Sequence, residues 1–358
     1  MVFRTFLLFS YMGGLKKRLV RNAIEMIAVL HWVNHVYYKV NIAIMPYALL
    51  TLTVLFWSGN FVIGRGIHGL VPPVSLAFWR WAVALTLLLP FALRPMMRQR
   101  ALIRLHWKLL CLLAILSVTN FNTFIYLALQ SNTVINTVLI NSLTPVFIVF
   151  VSWVGFRERI SVLQCLGGLL SFAGLIWIIT RGEPALLFSI RFSQGDLWTL
   201  AAAFSWAVYS VLLRKRPPHL DPIGFLGFII AAGLLFLSPF YFWEISRGAG
   251  FMVDKGTAGA VLYIALFASV LAYIFWNKAV AVVGANKAGI FVHLMPVFSI
   301  TLAIIFLDER LQAYHIPGIV LILCGIVLTT AGSRLRVKTI ATDRSALGTT
   351  LFNKKPKS

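Results

Sequence analysis

Residues 143–174 read LTPVFIVFVSWVGFRERISVLQCLGGLLSFAG, and residues 294–325 read LMPVFSITLAIIFLDERLQAYHIPGIVLILCG. The two stretches align without a gap at an offset of 151 residues, with identities at Leu143/Leu294, Pro145/Pro296, Val146/Val297, Phe147/Phe298, Glu158/Glu309, Arg159/Arg310, Gly167/Gly318, Leu170/Leu321 and Gly174/Gly325. Each is an apolar helix interrupted by proline, then a turn carrying Glu-Arg, then a glycine-spaced helix. An earlier pair of segments agrees at an offset of 149: Trp57/Trp206, Val62/Val211, Arg65/Arg214, Pro73/Pro222, Pro90/Pro239 and Phe91/Phe240. The repeat covers most of residues 46–332, so the chain is a duplication. Repetition of a whole hydropathy unit marks transporter architectures, in which two halves enclose one pathway.

The composition sets the solvent. A 358-residue chain that is 60% hydrophobic and 12% charged, with mean hydropathy +0.88, has too little polar surface for a soluble globule. Continuous apolar runs of spanning length follow one another, which excludes the short alternating segments of a membrane barrel. Cys111, Cys165 and Cys324 all fall inside predicted spans, where packing is expected rather than a disulfide framework or a metal motif. The net charge of +22 lies in loops and tails, so it points to anionic membrane lipid and not to nucleic acid.

Ten spans are expected at 46–64, 74–93, 108–128, 133–154, 162–180, 196–213, 223–243, 257–277, 285–306 and 314–332. Five spans per half is an odd number, so the second half enters the membrane upside down. With the N-terminus inside, the inner segments hold 23 Lys and Arg residues and the outer segments six. The bias puts both termini in the cytoplasm, which for a bacterial chain means the inner membrane. The expected organisation is all-α and integral to the membrane, with ten transmembrane helices as two inverted five-helix repeats. Residues 46–181 and 195–332 form the repeats, residues 333–358 a basic cytoplasmic tail, and residues 1–45 an N-terminal extension with no partner in the second half. His31 and His35 in that extension have no third ligand to make a metal site, and Met45, just before the first span, is the expected natural start.

The two five-span repeats, Phe56-Trp57-Ser58-Gly59-Asn60-Phe61, Phe78-Trp79-Arg80, Thr144-Pro145, Met295-Pro296 and the Glu-Arg turns resemble the EamA-type family of the drug/metabolite transporter superfamily. The resemblance covers nearly everything after residue 45. It implies a transporter of amino acids, other metabolites, nucleotide precursors or drugs, and it does not carry a substrate with it.

Arg80 is the sharpest single feature, about 9 Å deep in the second span at 1.5 Å per residue. A cation there faces the interior, where it can hold a substrate carboxylate or phosphate, or snorkels to the outer interface, or fastens a loop carbonyl. Asn60, Asn122, Asn136 and Asn141 offer neutral amides that line a polar pathway or hold helices together. Trp57 shares a face with Asn60, and the corresponding face of the sixth span carries Trp206, Tyr209 and Ser210. Tyr273 and Asn277 recur at a spacing of four on the eighth span. These aromatics either sandwich a substrate or serve packing and the lipid belt. His293, whose counterpart is Ser142, couples protons to movement or bonds a neighbouring helix. Pro145 and Pro296 should kink matched helices, and the glycines at 167, 174, 318 and 325 give the fifth and tenth spans a close-packing stripe, as scaffold or homodimer contact.

Absences narrow the function. All ten acidic residues lie at or outside span ends, which disfavours proton-coupled export of cationic drugs. Gly64-Arg65-Gly66-Ile67-His68-Gly69 matches a dinucleotide fingerprint but follows a membrane helix, so it is read as a turn. No cofactor, metal or catalytic set is expected, and nothing reads as an ATP-binding loop. The sequence therefore points to a secondary carrier of a small anionic or zwitterionic metabolite, an amino acid first, moved outward by alternating access. The alternatives are a drug or other metabolite permease of the same fold, an intramembrane enzyme, which would need a partner for His293, and a sensor that does not transport.

Overall fold

The computed structural model describes residues 44–132, 134–158, 161–183, 185–186, 193–307 and 312–329. Contacts group the chain into Met1–Ala48, of which only residues 44–48 are described, and Leu49–Ser358, to which the packing below refers. The N-terminal extension up to residue 43, the basic tail and the second Glu-Arg turn lie outside the described residues.

Every regular element among the described residues is helical. In chain order they are α1 (Ile44–Gly66), α2 (Pro73–Arg98), α3 (Arg100–Leu105), α4 (Trp107–Ser131), α5 (Val134–Asn141), α6 (Thr144–Phe156) and α7 (Val162–Ile179). They continue with α8 (Gln194–Leu212), α9 (Pro222–Ser246), α10 (Lys255–Val283), α11 (Ala285–Ile290), α12 (Met295–Leu307) and α13 (His315–Thr329). Six of them, α1, α2, α4, α8 with its short 3-10 extension, α9 and α10, are long and apolar enough to cross a membrane, and α6, α7 and α13 are shorter apolar helices.

The helix starts are written in the local sequence. Asp221 caps α9, accepting from the Ile223 and Gly224 amides at 2.9 and 2.8 Å, with Pro222 in the first turn. Ser161 with Gln164, Ser193 with Asp196, and Asp254 with Thr257 make reciprocal capping boxes for α7, α8 and α10. Pro145 and Pro296 do more than kink their spans. Each is the second residue of a new helix, α6 or α12, because its ring removes an amide donor and clashes with the preceding turn. Ser142 and Leu143 form the turn between α5 and α6, and Phe291–Leu294 form a 3-10 turn between α11 and α12.

Helix α2 lies antiparallel along α9 and is pinned at both ends. Glu244 at the end of α9 accepts from the Val74 amide at 3.0 Å and from the Ser75 amide and hydroxyl at 2.6 and 2.7 Å. Gln99, just past α2, accepts from the Asp221 amide at 2.8 Å and donates to the His219 carbonyl at 2.7 Å. Helices α7 and α13 also cross antiparallel, and here glycine is obligatory. A Cβ on Gly167 would sit 2.6 Å from the Gly325 carbonyl oxygen, and one on Gly174 would sit 2.6 Å from that of Gly318. The glycine stripes thus face each other within one chain. Cys165 and Cys324 lie exposed and Cys111 half-buried.

Helices α4 and α10 share an irregularity. Ile115–Asn120 in α4 and Ile264–Leu271 in α10 are π-helical, six and eight residues long. The second is longer by two residues, the amount by which the repeat offset changes from 149 to 151. A π turn widens the ring of backbone hydrogen bonds and turns carbonyls outward, and such turns recur at functional sites.

Candidate functional site

Arg80 reaches from α2 to the π segment of α10, while the π segment of α4 offers the Ser117 carbonyl to Asn122 and Tyr273. Arg80 is 1% exposed, so the snorkelling reading is corrected: the side chain turns inward. Its neighbours supply what the outer interface would have supplied. Nε and Nη2 donate to the Ser269 hydroxyl at 2.9 and 2.8 Å, and Nη2 also reaches the Ala268 carbonyl at 3.3 Å. Nη1 donates to Asn122 Oδ1 at 2.7 Å and to the Tyr126 hydroxyl at 2.8 Å, with Asn60 Oδ1 at 3.4 Å. The guanidinium carbon lies 5.0 Å from the Trp81 ring centre and 5.8 Å from that of Tyr126.

Every one of these acceptors is neutral. Removing a cation from water costs several kcal/mol, which neutral acceptors offset only in part, so the positive charge is solvated but not cancelled. An arriving anion would meet an uncompensated charge in a low-dielectric interior, where attraction is strongest.

The aromatic residues singled out in the sequence pack beside this network and are buried, not in a lipid belt. The Trp57 ring centre is 5.0 Å from Trp206 and 5.2 Å from Trp276, and Trp206 is 4.9 Å from Tyr209 and 5.2 Å from Tyr273. Trp57 donates to the Ala268 carbonyl at 3.2 Å. Tyr273 donates to the Ser117 carbonyl at 2.6 Å and accepts from Asn122 at 3.2 Å. By contrast, the indole nitrogens of Trp81, Trp206 and Trp276 and the Ser210 hydroxyl are buried with no hydrogen-bond partner.

Counterparts in the sequence repeat touch one another. Trp57 meets Trp206, Asn122 meets Tyr273, and His293 meets Ser142. Other bonds recur with the halves exchanged. Tyr126 donates to Asn60 at 2.7 Å, while at the matched positions Tyr209 donates to Asn277 at 2.7 Å. Arg80 breaks the pattern, since its counterpart at an offset of 149 is Ile229, a fully buried aliphatic residue.

Of the residues predicted from sequence, Trp57, Asn60, Arg80, Asn122, Trp206, Tyr209, Tyr273 and Asn277 come together here. Asn141 does not: it sits at the end of α5, where Thr144 donates to its carbonyl at 2.5 Å. The Asn136 side chain lies outside the described residues. His293 occupies a separate junction, with Nδ1 2.8 Å from the Ser171 hydroxyl and Nε2 3.1 Å from the Ser142 carbonyl oxygen. That supplies the serine partner an intramembrane enzyme would need. Yet the second ring nitrogen faces a backbone carbonyl instead of an orienting acid, and Ser171 is fully buried. The arrangement ties helices together, as the plainer reading of His293 expected.

Sequence reasoning missed Tyr126, Ser269 and the π-segment carbonyls of Ser117 and Ala268. One signal for the last was available: the two-residue change of offset between Phe91/Phe240 and Leu143/Leu294 marks an insertion in the intervening helix.

Comparison with known proteins agrees with this architecture. The chain is 30% identical over 289 residues to a protein of Archaeoglobus fulgidus described as an uncharacterized transporter, covering 79% of this chain and 96% of the relative. It is 27% identical over 299 residues to an Escherichia coli K12 protein described as a probable amino-acid metabolite efflux pump, covering 80% and 95%. A solved crystal structure superposes with a TM-score of 0.65 at 20% identity, covering 80% of this chain and 96% of that one, which bears on the fold alone. The profile of the EamA-like transporter family matches twice, over residues 44–180 and again over 193–331. The apolar helices and this double match make the protein an integral, multi-pass membrane protein, and the chain belongs to the EamA-like transporter family.

Proposed function

We propose that the protein is a secondary carrier that moves a small anionic or zwitterionic metabolite, an amino acid first, outward by alternating access. The single observation that carries the reading is the Arg80 cation, buried and surrounded only by neutral acceptors. A substrate carboxylate is the group that such a site attracts, and the planar guanidinium fork can exchange one of its neutral partners for it.

The carrier works as two inverted five-helix repeats, residues 46–181 and 195–332, with α5 and α6 acting as one span and α11 with α12 as another. Support comes from the antiparallel crossings of α2 with α9 and α7 with α13, the paired π segments, and the Tyr126–Asn60 and Tyr209–Asn277 bonds that exchange roles. Exchange of two such halves converts an outward opening into an inward one. The Lys and Arg bias supports cytoplasmic termini in a bacterial inner membrane. The amino-acid preference and the outward direction draw on the Escherichia coli relative's description as well as on Arg80.

The test is uptake of labelled amino acids, sugars and organic cations into proteoliposomes, with and without a pH gradient, for wild type and Arg80→Ala. Saturable amino-acid flux that Arg80→Ala abolishes in a folded protein supports the assignment. Cation flux indifferent to Arg80 would instead identify a drug permease of the same fold.

A further inference from the structure

Arg214 lies in the 3-10 turn that ends α8, and its partners belong to other helices. It pairs with Glu158 Oε1, just past the end of α6, and its guanidinium carbon lies 3.2 Å from the ring centre of Phe156, the last residue of α6. The other carboxylate oxygen, Glu158 Oε2, accepts from the Asn286 side-chain amide at 3.1 Å, in the first turn of α11. Glu158 therefore ties the first repeat to two elements of the second. One turn back along α8, Ala207 and Val211 form a buried apolar layer with Ile148 of α6, and Phe147, Val151 and Ala285 pack against it. The order along α8 is thus Trp206 in the aromatic cluster, Val211 in the apolar layer and Arg214 in the ion pair, about 12 Å beyond Trp206 at 1.5 Å per residue.

We propose that Arg214, Glu158 and Asn286 form a latch, with the Ile148, Ala207 and Val211 layer as the seal beneath it, and that the two close this end of the bundle until the carrier opens there. The inference rests on the carrier reading above and deepens it by naming what holds one end shut. The strength of the contact suits that task. The Arg214 and Glu158 side chains are 33% and 44% exposed, so water and salt weaken their attraction and the pair can separate in every cycle. A pair buried in the core would leave an uncompensated charge behind each time it opened. The apolar layer adds what the ion pair lacks, the exclusion of water. The matched positions are built differently: Ile148 and Ala207 answer to Ser299 and Ser58. Arg65 answers to Arg214, and among the described residues it donates to the Leu129 carbonyl of its own repeat at 2.6 Å. Arg214 reaches across the repeats where Arg65 bonds within one.

The experiment reads water access to the seal in the full chain. Cys111, Cys165 and Cys324 are replaced by serine, Ala207→Cys is introduced as the reporter, and its rate of modification by a water-soluble maleimide is measured in detergent, where both faces of the protein are reached. Val151→Cys, on the half-buried rim of the same layer, serves as reporter if Ala207→Cys does not fold. The expected result is slow modification in the parent and a severalfold faster rate in Glu158→Gln and in Arg214→Gln. Exchanging the charges, Glu158→Arg with Arg214→Glu, should return the rate toward that of the parent. High salt should speed modification in the parent and have little effect in the two glutamine variants. Arg65→Gln, which removes the matched arginine, should not speed it. Single variants that react as slowly as the parent, an exchange that recovers nothing, or an equal rise in Arg65→Gln would each overturn the latch. No substrate enters this measurement, so such a failure leaves the carrier reading to stand or fall on the uptake assay.

Discussion

Arg80 and Ser269 are joined twice, from Nε at 2.9 Å and from Nη2 at 2.8 Å, while the Ser269 hydroxyl itself donates five residues back to the Ile264 carbonyl at 2.9 Å. The π turn thus aims the serine so that both lone pairs face the cation. Ser269→Ala should lower stability by about 1.5–3 kcal/mol, the range for hydrogen bonds to a charged group. Thermal unfolding in detergent checks the size of the fall. A carboxylate ligand should restore part of it, and an unchanged melting curve would mean the pair carries no weight.

Arg80→Lys retains the charge and loses the fork. An ammonium offers three donors from one nitrogen and cannot span Ser269 on one side and Asn122 with Tyr126 on the other. Transport should fall at least tenfold, corresponding to about 1.4 kcal/mol. Lysine that supports wild-type flux would reduce Arg80 to a point charge.

Gly174→Ala and Gly325→Ala should each destabilise by about 1–3 kcal/mol, because the added methyl meets backbone: the Gly318 oxygen at 2.6 Å in one case, the Gly167 oxygen and the Ser171 amide in the other. Gly155→Ala is the contrast, since a Cβ there has nothing within 4 Å. Detergent melting temperatures across the three variants should separate the first two from the third. Equal shifts would argue that helix propensity, and not contact, governs all of them.

Glu244→Gln tests the clamp between α9 and α2. The carboxylate accepts with both oxygens, from Val74 on one and Ser75 on the other. An amide must turn its NH2 group toward one of those donors, leaving it buried and opposed. The expected loss is about 1–3 kcal/mol, read from chemical or thermal unfolding. Glu244→Asp, which keeps two acceptors on a shorter arm, should recover part of it.

How much of this was legible beforehand differs by residue. The duplication was open to inspection because identical residues recur at a constant offset, Pro145 with Pro296, Gly167 with Gly318 and Gly174 with Gly325. The inward course of Arg80 was not, since depth along a helix does not say which face a side chain takes; that is decided by Ser269, Asn122 and Tyr126 on two other helices. Asn60 with Tyr209, and Tyr126 with Asn277, escaped comparison by identity because the two halves keep the bond and exchange its ends. The π segments leave no residue signature at all. Only the change in repeat offset betrays the extra residues they absorb.

The glycine crossing of α7 with α13 also sets a schedule for biosynthesis. The surface of α7 around Gly167 and Gly174 has its complement in Gly318 and Gly325, which are synthesised some 150 residues later. At about 5–20 residues per second, that is roughly 8–30 s of translation. Through that interval the close-packing face of α7 has no α13 to pack against. The first half therefore cannot reach its finished packing while the ribosome is still at work on the second, and the last described helix acts as the closing step of assembly.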